Sequence, residues 1–344
     1  MTDILAAGEA PHEDPGARDE PILSIRNLRT SISTGGETFD IVHGVDLDLR
    51  QNEIVCLVGE SGCGKTITAL SVMRLLPNPP VRVSEGDIFY RERNLLDLAD
   101  KEMHKIRADK ISMIFQDPLT SLDPMFTVGS LMAEVIHSHR DVDKATTTGM
   151  SVDILREVGF PDPERRLSSY PHQLSGGMRQ RVMIAMALVL DPDVLIADEP
   201  TTALDVTVQA QILDKLLEQQ HERDMSMLLI THDLAVVAAI ADWVAVMYAG
   251  EIVEQAPVDE LFEDPRHPYT QGLLRAIPHA SVKKDKLVPI PGLVPPPQMM
   301  PPGCHFAPRC EYALPRCWEE HPQFETTDDR GLRCFNPQPF ADSK

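Results

Sequence analysis

The segment Gly59-Glu60-Ser61-Gly62-Cys63-Gly64-Lys65-Thr66 has the residue types and the G-x-x-x-x-G-K-T spacing that could grip a chain of phosphates. Glycines let successive backbone N–H groups curl around a phosphate, a lysine ammonium neutralises its oxygens, and a threonine hydroxyl can ligate Mg²⁺. Before the motif stands Glu53 to Val58 (EIVCLV), short, apolar and rich in β-branched residues; after it Ile67 to Leu76 has helical spacing. Strand, loop and helix are the frame that phosphate binding requires, and a bare glycine-rich turn would lack it. A second run, VLIAD, delivers Asp198 and Glu199 at the carboxyl end of a buried strand, where ligands of parallel sheets gather. Asp198 suits the Mg²⁺ shell, and Glu199 suits the orientation and deprotonation of an attacking water. Without the phosphate loop, the same pair would read as a cap for the helix after Pro200.

These groups need elements to position them. Ile22 to Ser33 alternates apolar and polar residues, and IVHGVDLDLR does so again after Gly35-Gly36, which predicts two strands of an antiparallel patch. Pro77, Pro79 and Pro80 close the helix behind the phosphate loop, and Gly86 to Tyr90 opens another short strand pair. From about 117 to 181 the spacing is mostly helical, with Val128 to His137 and Ser151 to Val158 the clearest stretches, so an inserted helical lobe is expected. Thereafter helices (Gln180 to Leu190, Val206 to Arg223, Leu234 to Ala241) alternate with strands (VLIAD, MLLIT, Trp243 to Val253), the grammar of a parallel sheet covered by helices. Pro289 to Gly303 is a proline-rich connector, and a small cysteine-bearing cap follows it.

Bulk properties narrow the function classes. The 344 residues, 42% hydrophobic and 25% charged, suit one large globular domain with an appendage. A net charge of −21 argues against nucleic acid as the main ligand, because phosphate backbones are bound by clustered positive charge. No apolar run reaches the roughly 18 residues that cross a bilayer; Val182 to Leu190 and Leu234 to Ala241 are stopped by Asp191 and Asp242. Any membrane role is therefore expected to be peripheral. Met1 to Glu20 carries Asp3, Glu9, Glu13, Asp14, Asp19 and Glu20 against Arg18, with no basic-then-apolar leader, and reads as a disordered acidic tail.

LSGGMRQR, Leu174 to Arg181, just before the ADEP strand, resembles the signature motif of ATP-binding cassette (ABC) proteins, and the remaining motifs follow that family's order. The resemblance implies an α/β ABC-type P-loop NTPase core with an antiparallel β subdomain and a helical subdomain. It also implies that Gln116 in FQDP is the Q-loop glutamine, Ala203-Leu204-Asp205 the D-loop and His232 the switch histidine. Catalysis would then rest on Glu199, His232, Gln116 and Lys65, and Mg²⁺ on Thr66, Gln116 and Asp198. ATP would lie on Gly59 to Thr66, with Ser175, Gly176 and Gly177 covering the nucleotide held by a second cassette. One cassette per chain makes dimerisation a requirement, and the likeness favours a different, paralogous ATPase as the second subunit. Where the family stacks adenine on an early aromatic residue, this sequence offers Ile32, with Phe39 nearest.

Arg266 to Pro278 (RHPYTQGLLRAIP), with IPG, PPGC and HFAPRC after it, is similar to the carboxyl region of oligopeptide and dipeptide importer ATPases. FQDPLTSLDP and LSGGMRQRVMIAMAL look like the first of the two unlike ATPase subunits of that group, and the likeness runs from Pro21 to Phe335. It implies ATP-driven peptide uptake at the cytoplasmic face of the membrane. Two transmembrane permease subunits would be engaged through the FQDP segment and helical lobe, and an extracytoplasmic peptide-binding protein would deliver the cargo. An importer of nickel or another small solute is the rival within transport; a soluble ABC ATPase is the rival outside it. The expected division is 1–20 tail, 21–278 ATPase domain, 279–344 linker and cysteine-bearing region.

Cys304, Cys310, Cys317 and Cys334 have the spacing C-x5-C-x6-C-x16-C, wider than the close pairs of structural zinc sites and unlike the ferredoxin run. Four thiolates in one small segment suit an all-thiolate Zn²⁺ or a [4Fe–4S] cluster, and the family resemblance favours the cluster. Cys56 reads as core. Cys63, beside a helix N-terminus, reads as a small tolerated side chain, with thiolate character as the alternative.

Overall fold

The computed structural model describes residues 20–201, 205–276, 290–327 and 330–339. The acidic tail up to residue 19, Ala203 and Leu204 of the expected D-loop, and residues 279–289 of the expected linker lie outside the described residues.

Two sheets organise the chain. Leu23–Thr34 (β1) and Glu37–Leu49 (β2) form a hairpin turned by Gly35-Gly36, and with Val81–Tyr90 (β4) and Arg93–Asn94 (β5) they make an antiparallel sheet in the order β2-β1-β4-β5. The second sheet contains Ile54–Val58 (β3), Ile111–Ile114 (β6), Val194–Asp198 (β7), Ser226–Thr231 (β8), Trp243–Tyr248 (β9) and Glu251–Pro257 (β10). Glu325–Thr327 (β11) and Arg330–Leu332 (β12) complete it, in the order β11-β12-β10-β9-β3-β8-β7-β6. From β9 through β3, β8 and β7 to β6 the pairing is parallel; β10 and β12 are antiparallel.

The central strands are apolar throughout because both of their faces are covered. In β3, Ile54, Cys56 and Val58 face one buried cluster while Val55 and Leu57 face the other; in β7, Leu195 and Ala197 oppose Val194 and Ile196. One cluster joins the sheet to the helices Val128–His137, Lys144–Glu157 and Gly176–Leu188, and the other joins it to the antiparallel sheet. The expected helical lobe is thus present, with the Val128–His137 helix starting where Thr127 accepts the Ser130 N–H and ending within one residue of the predicted stretch.

Two predicted helix starts are corrected. The helix behind the phosphate loop begins at Lys65 rather than Ile67 and ends at Val72, and the later one begins at Gly176 rather than Gln180. Both begin directly after the residue that sets their N-cap, Gly64 in left-handed conformation and Ser175 with its hydroxyl on the Met178 N–H. Lys65 and Thr66 in the first helix, and Gly176 and Gly177 in the second, carry no apolar side chain, so neither start shows in apolar periodicity. The carboxyl-terminal segment is more integrated than a cap: β12 pairs with β10 through Glu254↔Leu332 and Gln255↔Gly331, and Phe306 lies in the main core.

Candidate nucleotide site

Four neighbouring parallel strands deliver the chemistry. The carboxyl end of β3 leads into Gly59, that of β8 into His232, that of β7 into Asp198 and Glu199, and that of β6 toward Gln116. Order β3-β8-β7-β6 therefore sets the phosphate loop, the histidine, the acidic pair and the glutamine along one sheet edge, the ligand edge of a parallel sheet.

The loop is built to close tolerances. A Cβ on Gly59 would stand 2.2 Å from the Met247 carbonyl oxygen, and Gly64, at φ 108°, sits in the region that glycine enters without penalty. Lys65 is buried, and its Nζ donates to the carbonyls of Gly59 at 2.8 Å and Glu60 at 3.0 Å. Asp198 is buried too, with neither carboxylate oxygen hydrogen-bonded; burial raises its pKa, and the Thr66 hydroxyl nearby opposes that rise without reaching hydrogen-bond geometry. An unsatisfied carboxylate facing a threonine hydroxyl fits a Mg²⁺ shell, since the ion would repay the desolvation. Gln116 Nε2 donates to Glu199 Oε2 at 3.0 Å, and His232 Nδ1 lies 3.5 Å from Glu199 Oε1. Glu199 itself has φ 45°, an uncommon backbone for a glutamate, with its N–H held by the Ile230 carbonyl at 2.9 Å.

Other expected residues stand apart. Ser175, Gly176 and Gly177 open their helix, and among the described residues no hydrogen bond connects them to Gly59–Thr66. Asp205 caps the Val206–Glu222 helix by accepting the Val208 N–H at 3.0 Å. Ile32 and Phe39 are cross-strand neighbours, both half-buried, so they form one small patch rather than two alternatives. Cys63 is buried and its thiol is pushed up by burial against the pull of Lys65, which removes the thiolate reading; Cys56 is pushed up to about 12 by the same cause.

Two contacts on the phosphate loop had no signal in the motif. Tyr269 accepts the Glu60 N–H on its hydroxyl at 2.9 Å, and Arg309 grips the Glu60 carboxylate with both guanidinium nitrogens, at 2.5 and 3.0 Å. Tyr269 belongs to HPYT, where His267 caps the Pro268–Arg275 helix, and Arg309 immediately precedes Cys310. Those short motifs thus brace the loop from the carboxyl-terminal side.

Cys304, Cys310, Cys317 and Cys334 line one small cavity with His267, Phe306 and Tyr312, and none is in a disulfide. Burial pushes the Cys304 thiol to about 11 and the Cys334 thiol to about 12, with neighbouring thiols adding to the rise. Among the described residues only Glu251, His305 and His321 bring three ligand atoms within 4.8 Å of one another. No three of the four sulfurs come within that distance of one another.

Comparison with known proteins agrees with this geometry. Residues 42–202 match the ABC transporter family, and residues 253–317 match the oligopeptide/dipeptide transporter carboxyl-terminal region. The chain is 50% identical over 273 residues to the dipeptide transport ATP-binding protein DppD of Bacillus subtilis, covering 79% of this chain and 82% of that one. It is 46% identical over 322 residues to the oligopeptide transport ATP-binding protein OppD of the same organism, covering 93% and 90%. Among solved structures, an ATP-binding cassette crystallised as a dimer in a post-hydrolysis state with ADP and phosphate superposes with a TM-score of 0.62 at 27% identity, covering 69% of this chain and 98% of that one. A nucleotide edge built on β3, β8, β7 and β6, continued into the matched carboxyl-terminal region, makes this chain a member of the ABC transporter family, an ATP-hydrolysing subunit of its oligopeptide/dipeptide branch.

Proposed function

We propose that the protein hydrolyses ATP to drive uptake of short peptides through an ABC importer, as the peripheral subunit on the cytoplasmic face of the membrane. The observation that carries the ATPase half is the single edge shared by Lys65, Asp198, Glu199, Gln116 and His232; the peptide half rests on the match of residues 253–317 and on the relatives' own transport of dipeptides and oligopeptides. No helix among the described residues is long and apolar enough to cross a membrane, in keeping with the task being shared with two permease subunits and an extracytoplasmic binding protein.

Each residue has a proposed task. The backbone N–H groups of Gly59 to Thr66 cradle the phosphates, and Lys65 exchanges its carbonyl partners for phosphate oxygens. Thr66, Asp198 and Gln116 hold Mg²⁺, which when bound neutralises charge on the β- and γ-phosphates. Glu199 orients the attacking water and takes its proton, and His232, beside it, positions the γ-phosphate end of the site. Phe39 with Ile32 receives the adenine. Ser175, Gly176 and Gly177, standing away from the loop of their own chain, close over the nucleotide of a second cassette, for which a paralogous ATPase is the proposed occupant. The four cysteines hold a [4Fe–4S] cluster that stiffens the carboxyl-terminal segment; Zn²⁺ is the competing ion.

Reconstitution with the cognate permease pair in liposomes tests the whole reading. Labelled di- to pentapeptides should accumulate in an ATP-dependent way that Lys65→Ala abolishes. Accumulation of nickel but no peptide would overturn the substrate class, and ATP turnover unchanged by Lys65→Ala would overturn the site. Anaerobically purified protein should be brown with about four irons per chain, and stoichiometric zinc without iron would reject the cluster.

A further inference from the structure

A second group of metal-ligating side chains lies outside the nucleotide edge and the four-cysteine cavity. Glu251, the first residue of β10, is buried in the main sheet; His305 and His321 come from the carboxyl-terminal segment. Glu251 Oε2 is 3.3 Å from His305 Nδ1, and Glu251 Oε1 is 2.8 Å from His321 Nε2. All three ligand atoms lie within 4.8 Å of one another. Both ring nitrogens are shielded from water, and each meets the carboxylate as a close ion-pair contact that misses ideal hydrogen-bond geometry. The ring of His43, on β2, packs edge-on to that of His305 at 5.0 Å between centroids, and its Nε2 is buried without a partner.

We infer that Glu251, His305 and His321 bind a divalent transition cation of the zinc type, with His43, which packs on His305 but lies outside this group of three, able to add a fourth ligand on a shift of its ring. Two imidazoles and a carboxylate are the donor set of such ions, and a third imidazole, that of His43, would bring the ligands to the four of a structural site. Two imidazoles crowded on one buried carboxylate without ideal hydrogen-bond geometry, beside a third whose Nε2 is buried with no partner, are costly, and a cation converts such contacts into ligand bonds. Arg333, whose charge acts on Glu251, donates to the carbonyls of Ile252 and Pro322 and packs on the face of Phe324, with no hydrogen bond to the carboxylate among the described residues. The cavity lined by the four cysteines includes none of Glu251, His305 and His321, and no cysteine belongs to their group, so the two metal positions are separate.

The position gives the ion its role. His43 donates its N–H to the Gly250 carbonyl at 2.8 Å, and Gly250 donates its own to the Cys63 carbonyl in the phosphate loop, also at 2.8 Å. A cation here ties β2, β10 and the carboxyl-terminal segment together one residue from that loop. It acts as a clasp between the parts that frame the nucleotide.

The test uses the full-length chain with its cysteine site intact. Protein depleted of loosely held metal is equilibrated with Zn²⁺, and zinc and iron are quantified per chain for wild type and for His305→Gln/His321→Gln. Wild type should take up one zinc equivalent that the double variant lacks, at equal iron content. X-ray absorption on the wild-type zinc should show nitrogen and oxygen neighbours at about 2.0–2.1 Å without sulfur at about 2.3 Å. Equal zinc in both proteins, no uptake by wild type, or a sulfur shell overturns the proposal. The absorption measurement decides by itself if the double variant fails to fold.

Discussion

Lys65 spends its hydrogen bonds on two carbonyls of its own loop, while Asp198 has none for its carboxylate, so each is poised to gain when an anion and a cation arrive together. Glu199 differs, because it already holds Gln116 and lies beside His232. Glu199→Gln is expected to retain ATP binding and to lose about 10²- to 10⁴-fold in turnover, the range for removing a general base. Nucleotide affinity measured beside phosphate release separates the two effects, and turnover near the wild-type rate would remove Glu199 from that role. His267 offers a pH prediction. Its Nδ1 accepts the Tyr269 N–H at 3.0 Å inside the core, and burial lowers its pKa from 6.5 to about 3. The folded state therefore excludes a proton that the unfolded chain binds, so stability is complete above pH about 6.5 and falls as pH drops toward 3, by up to about 1.4 kcal/mol per pH unit. Urea unfolding from pH 7 to 5 should show that slope, and His267→Gln should flatten it by about one proton.

At the scale of elements, the carboxyl-terminal segment and the phosphate loop act on each other. Arg309 is almost wholly buried, at 3% side-chain exposure, whereas Glu60 keeps 33%, so the pair is only partly shielded from solvent. Removing one member leaves the other's charge stranded, and Arg309→Ala is expected to cost about 2–3 kcal/mol after allowance for that exposure. Thermal unfolding should drop by roughly 4–12 °C, at about 2–4 °C per kcal/mol for a domain of this size. ATP affinity should fall with it, because Glu60 belongs to the loop that holds the phosphates. Arg309→Lys should recover only part of either loss, since an ammonium cannot make the paired contact of a guanidinium. A variant with unchanged melting and unchanged ATP affinity would show that the brace is idle. The same segment adds an aromatic wedge, with Tyr248, Tyr269 and Phe306 packed at 4.7 to 5.4 Å between ring centroids.

For the molecule as a whole, no hydrogen bond among the described residues joins Ser175–Gly177 to Gly59–Thr66, and the proposed sealing of the nucleotide by a second cassette makes a nucleotide-dependent dimer the expected working unit. A net charge of −21 makes two copies repel at low salt, so bound ATP and the second cassette's helix dipole must overcome that repulsion. Light scattering of Glu199→Gln, alone and with the ATPase proposed as its second cassette, should show association on adding ATP and reversal on its removal, and for two copies of this chain tighter association as salt rises from low values. Lys65→Ala should stay monomeric under the same conditions. Association that ignores ATP would break the proposed coupling between binding and closure.

The nucleotide chemistry was legible in the chain because it depends on local order: glycines that permit one loop shape, a lysine and threonine at its end, and acids directly after an apolar strand. Strand spacing was legible for the same reason, since burial on both faces leaves an unbroken apolar run. What only the tertiary structure decided are the contacts between distant segments. Arg309 finds Glu60 across 249 positions, and His305 and His321 meet Glu251 on a strand far earlier in the chain. Side chains brought together by folding leave no period or fixed spacing in the sequence, and β11 and β12 are too short to show alternation. Their place at the sheet edge exists only once the core has formed to receive them.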